Sequence, residues 1–163
     1  MPGLSILVYG YGNPGRRDDG LGVLFAEHIG KLALGHVKVE TNYQLNAEDA
    51  LEAAEHDVVI FADASYNEGD SFRFSTLLPA HEVAFTTHAM APGSVLALCQ
   101  ELYDKRPDAY LLELRGYEWE MGEGLSERGA EALKRAVSFM EPLLREGDRD
   151  KLAEAAESVG REE

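Results

Sequence analysis

Short unbroken apolar runs alternate along this chain with longer stretches in which apolar residues recur every third or fourth position. Leu4 to Tyr9 is such a run, closed by glycines, and reads as a buried parallel strand. Leu21, Leu24, Phe25, His28, Ile29 and Leu32 then fall at helical spacing, which predicts a helix from residue 19 to about 33. Val37 to Tyr43 reads as a second strand, with Val37, Val39 and Thr41 on one side. The alanine- and glutamate-rich residues 47–55 read as a helix that Asn46 can cap. Val58 to Ala62 is the clearest buried strand, and Asp63 ends it. Ser71–Leu77 is a further strand of unassigned direction. Pro92 is placed to open a helix continued by Gly93–Tyr103. Ala109–Arg115 is the last strand. Ser126 caps a long helix to about Arg145, with Leu133, Val137, Met140 and Leu144 on one face.

Strands and helices in alternation predict a single α/β domain over residues 1–145. Its architecture is three-layer α/β/α, with a mostly parallel, twisted sheet of about five strands. Residues 146–163 are polar and charged, and read as a weakly docked helix or a frayed tail. No repeat or linker divides the chain.

Charge narrows the possible partners. The 163 residues carry a formal net charge of −15, a surface that repels phosphate backbones and excludes a nucleic-acid binder. Such a surface accepts cations and basic peptide segments. No apolar run approaches the roughly 18 residues that cross a bilayer. The start "MPGLSILVYG" lacks the basic region of a secretory signal. The single cysteine, Cys99, lies in an apolar stretch and suits buried packing in a reducing compartment. A cytoplasmic monomer is the expectation.

The candidate chemistry begins at "VYGYGNPGRRDDGLGV", residues 8–23. Gly10-x-Gly12-x-x-Gly15 after a strand has the spacing of a dinucleotide-binding loop. In such a loop a pyrophosphate rests on the following helix N-terminus. Here Asp18 and Asp19 occupy that first turn and repel a phosphate, which Arg16 and Arg17 offset only in part. Glu40 comes about 28 residues after Gly12, late for a ribose-binding acid. The glycines instead permit a tight turn that delivers a carboxylate to the crevice beyond the strand, where open α/β sheets bind ligands. One of the two aspartates can cap the helix while the other meets a ligand. Asp63, directly after a buried run, is costly unless hydrogen-bonded or paired with a cation. His88 sits between a short apolar run and the helix begun by Pro92. Asp19, Asp63 and His88 together supply two oxygen donors and an imidazole, a set suited to Ni²⁺ or Zn²⁺ with open positions left over.

These blocks resemble a known family. "GYGNPGRRDDGLG" is similar to the N-terminal signature of the hydrogenase maturation proteases, and "IFADAS" to their second acidic block. "TTHAMAPGSVLAL" resembles their histidine block. Gly124–Ser126, "GLS", resembles the opening of their last helix. The four blocks keep the family's order over residues 4 to about 145. The resemblance implies an α/β endopeptidase that trims the C-terminal extension from the large-subunit precursor of a nickel–iron hydrogenase, after nickel insertion. It also implies that Asp19, Asp63 and His88 are the metal-contacting and catalytic residues. The nickel is carried by the substrate, and another divalent metal can occupy the site in isolation. Some members carry glutamate where this chain has Asp19.

Peptide hydrolysis needs an activated water, a polarised carbonyl and a proton for the leaving amine. Whether the metal acts in the chemistry or only in recognition stays open at this level, as does the identity of the base. Two other readings compete. A nucleophilic hydrolase would use Ser65 or Ser94 with His88, yet neither serine sits in a Gly-x-Ser-x-Gly elbow. A nickel chaperone would use the same three side chains without cutting a partner. Tyr9, Tyr11, Tyr43 and Trp119 are candidates to line a peptide groove. Glu118, Glu120 and Glu123 read as a solvated loop or a contact for a basic segment.

Overall fold

A computed structural model describes residues 4–66, 69–80 and 90–160. Its elements run β1 (Ile6–Tyr11), α1 (Leu21–Lys31), β2 (Val37–Asn42), α2 (Asp49–Ala54) and β3 (Val58–Ser65), followed by β4 (Phe72–Thr76), α3 (Pro92–Tyr103), β5 (Asp108–Arg115), α4 (Glu127–Glu146) and α5 (Arg149–Gly160). The sheet has five strands in the order β2-β1-β3-β5-β4. Every neighbouring pair is parallel except β4–β5, which is antiparallel. The expected three-layer architecture is therefore present, and β4, whose direction the sequence left open, is the reversed edge strand.

Alternation along each strand sends successive side chains to opposite faces. Ile6, Val8, Ile60, Ala62, Leu112 and Leu114 face one side. There they pack with Leu21, Phe25 and Ile29 of α1, Met140 and Leu144 of α4, and Leu152 and Ala156 of α5. Leu7, Tyr9, Val59 and Phe61 face the other side, against Ala50 and Ala53 of α2 and Val95, Leu96 and Cys99 of α3. Cys99 is fully buried and donates to the Ala50 carbonyl at 3.3 Å.

Ser126 caps α4 as expected, its hydroxyl accepting from Gly129 N–H at 2.9 Å. Asn46 does not cap α2 with its side chain. Asp49 instead reaches back and accepts from Asn46 N–H at 2.7 Å, while Asn46 O receives the Asp49 N–H. The Asp49 N–H that a capping Asn46 side chain would take is bound instead by the Asn46 backbone carbonyl at 3.0 Å. β3 also continues past Asp63 to Ser65, because the last residues still pair with β5.

β1 and β3 are neighbours, yet from its carboxyl end β1 leads through α1 to β2 on one side, while β3 leads to β4 on the other. The connections part above these two carboxyl ends and leave a crevice, the switch point at which such sheets bind ligands. The glycines of the β1–α1 turn set how close α1 comes. A Cβ on Gly10 would lie 2.1 Å from the Gly22 carbonyl oxygen, and one on Gly22 would lie 2.3 Å from the Ala62 oxygen. α1 thus rests on the backbone of β1 and β3 with no side chain between.

Candidate functional site

Asp18 and Asp19 occupy a 3₁₀ turn, Arg17–Gly20, that precedes α1. The tighter winding sends the two acids in different directions. Asp18 is fully buried. It accepts hydrogen bonds from Tyr117 N (2.8 Å), Glu118 N (3.1 Å), Ser126 N (2.8 Å) and the Ser126 hydroxyl (2.6 Å). Burial by itself would raise its pKa, but the donors from Ser126, Tyr117 and Glu118 outweigh that and hold the carboxyl below its ordinary value. Asp18 therefore locks the first turn to the start of α4 rather than capping α1. Backbone bonds between Arg17 N and Gly122 O (3.0 Å), and between Gly122 N and Gly15 O (2.8 Å), fasten the same two loops.

Asp19 points to the crevice. Its Oδ2 accepts from Asn13 N–H at 2.8 Å, and Asn13 in turn accepts from Gly15 N–H at 2.9 Å. Gly12 makes this turn possible: its φ is +139°, and a Cβ there would sit 2.2 Å from the Asp19 carbonyl oxygen. Oδ1 of Asp19 has no partner among the described residues.

Asp63 lies across from Asp19 at the carboxyl end of β3. It belongs to a polar row that crosses the whole sheet. Asn42 on β2 pairs with Tyr11 on β1, Asp63 on β3 follows the pair Gly10–Ala62 and stands opposite Glu113 on β5, and Glu113 faces Arg73 on β4. The positions one pleat below, Tyr9, Phe61 and Leu111, are apolar, so the row marks where core ends and rim begins. Burial pushes the Asp63 carboxyl up to about 7. The Ala64 N–H and the Tyr11 hydroxyl favour its charged form, whereas the charges of Asp19 and Glu113 oppose it. The Tyr11 hydroxyl donates to Asp63, and burial beside this acid raises the phenol well above its usual range.

The structure thus brings two of the three expected residues, Asp19 and Asp63, to one rim. His88 lies outside the described residues. Met90, two positions later, is buried, and its N–H donates to Leu45 O at 3.2 Å beyond the end of β2. Among the described residues no three histidine, cysteine or carboxylate side chains form a metal-binding cluster. The pair present does suit a cation. Two facing carboxylates repel, burial makes one of them hold its proton up to about pH 7, and a positive ion between them relieves both penalties.

Sequence reading missed Glu113, which left a trace as an acid inside the apolar run "YLLELR". It named Tyr11 only as a groove candidate; the contact with Asp63 left no trace, because strand register alone sets the two side by side. The serine alternatives fare poorly: Ser65 and Ser94 are both buried, Ser94 at 2% exposure, and a nucleophile must be reachable. Cys99 is no better placed, since burial pushes its thiol up to about 11. Of the groove candidates, Tyr9 is core, Tyr43 is 70% exposed, and Trp119 stacks on Tyr66 with ring centroids 4.0 Å apart. Glu118 pairs with Arg17 at 3.3 Å. No described helix is long and apolar enough to cross a membrane.

No protein-family model matches this chain, and no curated protein does. Solved structures match it along most of its length. One is the NiFe hydrogenase maturation protease HycI from Thermococcus kodakarensis KOD1, 24% identical, covering 87% of this chain and 93% of that one at a TM-score of 0.69. A second is the hydrogenase maturating endopeptidase HybD from E. coli, 21% identical over 88% and 93% of the two chains at 0.65. A third, hydrogenase 2 maturation peptidase from Thaumarchaeota archaeon SCGC_AB-539-E09, is 21% identical over 86% and 99% at 0.62. The chain has the fold of these maturation proteases.

Proposed function

We propose that this chain is an endopeptidase of hydrogenase maturation. It removes the C-terminal extension of a nickel–iron hydrogenase large-subunit precursor once nickel has been inserted, and Asp19, Asp63 and His88 meet the nickel that the precursor carries. The observation behind this reading is the apposition of Asp19 and Asp63 at the β1/β3 switch point, within a fold shared with solved maturation proteases.

Charge supplies the selectivity. A precursor without nickel presents no central cation, so the carboxylates keep their mutual repulsion and the complex gains little. A nickel-loaded precursor neutralises the pair and is held with its scissile bond at the rim. Tyr11 keeps Asp63 oriented, since its hydroxyl donates to that carboxylate. Without a cation nearby the Asp63 carboxyl keeps its proton up to about pH 7. The nickel would displace that proton, so docking of the loaded precursor is coupled to deprotonation of Asp63.

The test is incubation with nickel-loaded and nickel-free large-subunit precursor, followed by intact-mass measurement. The expected result is loss of the C-terminal extension from the loaded form only. Cleavage of both forms equally overturns nickel recognition. Nickel uptake without any mass loss makes the protein a chaperone and overturns the endopeptidase reading.

A further inference from the structure

β2 is an edge strand, and its outer side is open. Asn42 O accepts from Gly12 N–H at 3.1 Å, so the backbone of Asn42 faces β1. In a parallel ladder the residues alternate, which turns the N–H and C=O groups of Val39 and Thr41 away from the sheet. Neither has a partner among the described residues. Beside the end of this strand lies a cavity of about 180 Å³ lined by Gly12, Pro14, Val23, Thr41, Asn42 and Tyr43. Its walls are the apolar faces of Pro14, Val23 and Tyr43. Its floor is the turn whose Asn13 N–H holds Asp19.

We propose that the open edge of β2 and this cavity form the docking site for the substrate segment. The segment adds as an extended strand along Val39–Thr41, and one of its apolar side chains fills the space between Pro14, Val23 and Tyr43. This rests on the endopeptidase reading above and names how that site holds its peptide.

Charge chooses between possible occupants. Glu40 and Asp49 approach the Tyr9 hydroxyl near the end of β2, and Asp19 lies beyond the turn. The strand's cation, Lys38, is shared between Glu40 at 3.5 Å and Glu52 at 2.9 Å, so the edge stays net negative. A second copy of this chain, itself at −15, is repelled from such an edge, whereas a segment with basic residues is drawn to it. Distance sets the register. An added strand lies three strand spacings from β3, about 14 Å, a gap that about four extended residues cross. The bond to be cut is thus about four residues from the side chain in the cavity.

Thr41→Pro tests the edge. The Thr41 N–H points outward, so proline removes no bond to β1 but blocks strand addition. Tyr43→Ser tests the cavity at a residue too exposed to matter for folding. With nickel-loaded precursor as substrate, each variant is expected to raise KM about tenfold, with the loss in KM rather than in kcat. Raising salt is expected to raise the wild-type KM through screening. In hydrogen exchange on the wild-type protein, the Val39 and Thr41 amides should gain protection when nickel-loaded precursor is added. Wild-type kinetics in Tyr43→Ser together with unprotected β2 amides would overturn the docking site while leaving the endopeptidase intact. A precursor that the wild-type protein neither binds nor cuts would overturn both.

Discussion

The two ends of the sheet treat their acids in opposite ways. At the amino end Asp57, Glu52 and Asp108 each have a complement. Asp57 accepts from Ser5 N–H at 2.9 Å, Glu52 pairs with Lys38 at 2.9 Å and His56 at 3.1 Å, and Asp108 pairs with Arg149. The hydrogen bond from Lys38 leads the causes that hold Glu52 below its ordinary pKa. At the carboxyl end Asp19 and Asp63 face each other, with Glu113 beside Asp63 and across from Arg73, and Asp63 moves the other way. Under the proposed function, the carboxyl pole is the one that would meet the cation carried by the precursor. Asp18 and Asp19 repeat the contrast one residue apart. The first is saturated with donors and serves the fold, while the second keeps an oxygen open.

The largest expected effect separates activity from stability. Asp19→Asn and Asp63→Asn should each lower cleavage of nickel-loaded precursor by on the order of 10³-fold. Asp63→Asn should also leave the thermal midpoint unchanged or raised at pH 8, because it removes a repulsion. A fall in that midpoint would mean the rim acids hold the fold and would erase the contrast. Asp18→Ala should do the reverse. It strands the N–H groups of Tyr117, Glu118 and Ser126 and should cost about 3 kcal/mol in urea unfolding.

Acid titration sharpens the difference between the poles. The Asp63 carboxyl sits at about 7 when folded and at about 3.9 when unfolded. Between those values the folded state keeps a proton the unfolded chain has lost, so this group's contribution to stability declines as pH rises from about 4 through 7. Asp18 and Glu52 are lowered by folding, so their contributions are present above about pH 4 and fade on acidification. Urea curves from pH 4 to 8.5 should show the rising-pH loss in the wild type and not in Asp63→Asn. Ser126→Ala, which removes both the α4 cap and one donor to Asp18, should cost about 1–2 kcal/mol. Smallest of all, Glu52→Gln at the exposed amino pole should barely move the midpoint.

Local patterns made much of this legible. β3, α4 with its Ser126 cap and the glycine turn could be read directly, because apolar runs, caps and glycines act over a few residues. Asp63 stood out as an acid at the close of an apolar run, and Asp19 as an acid in the first turn after the glycines. What was hidden depends on register between distant segments. Nothing in "GYG" says that Tyr11 faces Asp63, and nothing in "LLELR" says that Glu113 sits between Asp63 and Arg73. The division of labour between Asp18 and Asp19 was equally hidden, since it follows from a 3₁₀ turn meeting the loop of residues 117–126. The Asn46 cap failed on a local contest, in which the residue's own backbone carbonyl took the donor.

The seating of α1 on bare main chain carries a consequence for inheritance. Side chains swell, shrink and change rotamer as a lineage drifts, and a helix propped on them drifts as well. Here Gly10, Gly22 and Ala62 meet atom to atom through peptide groups that every sequence shares. The gap between the two jaws of the rim is consequently gauged by the backbone itself, and the filling of the interior can be rewritten around it without altering the grip.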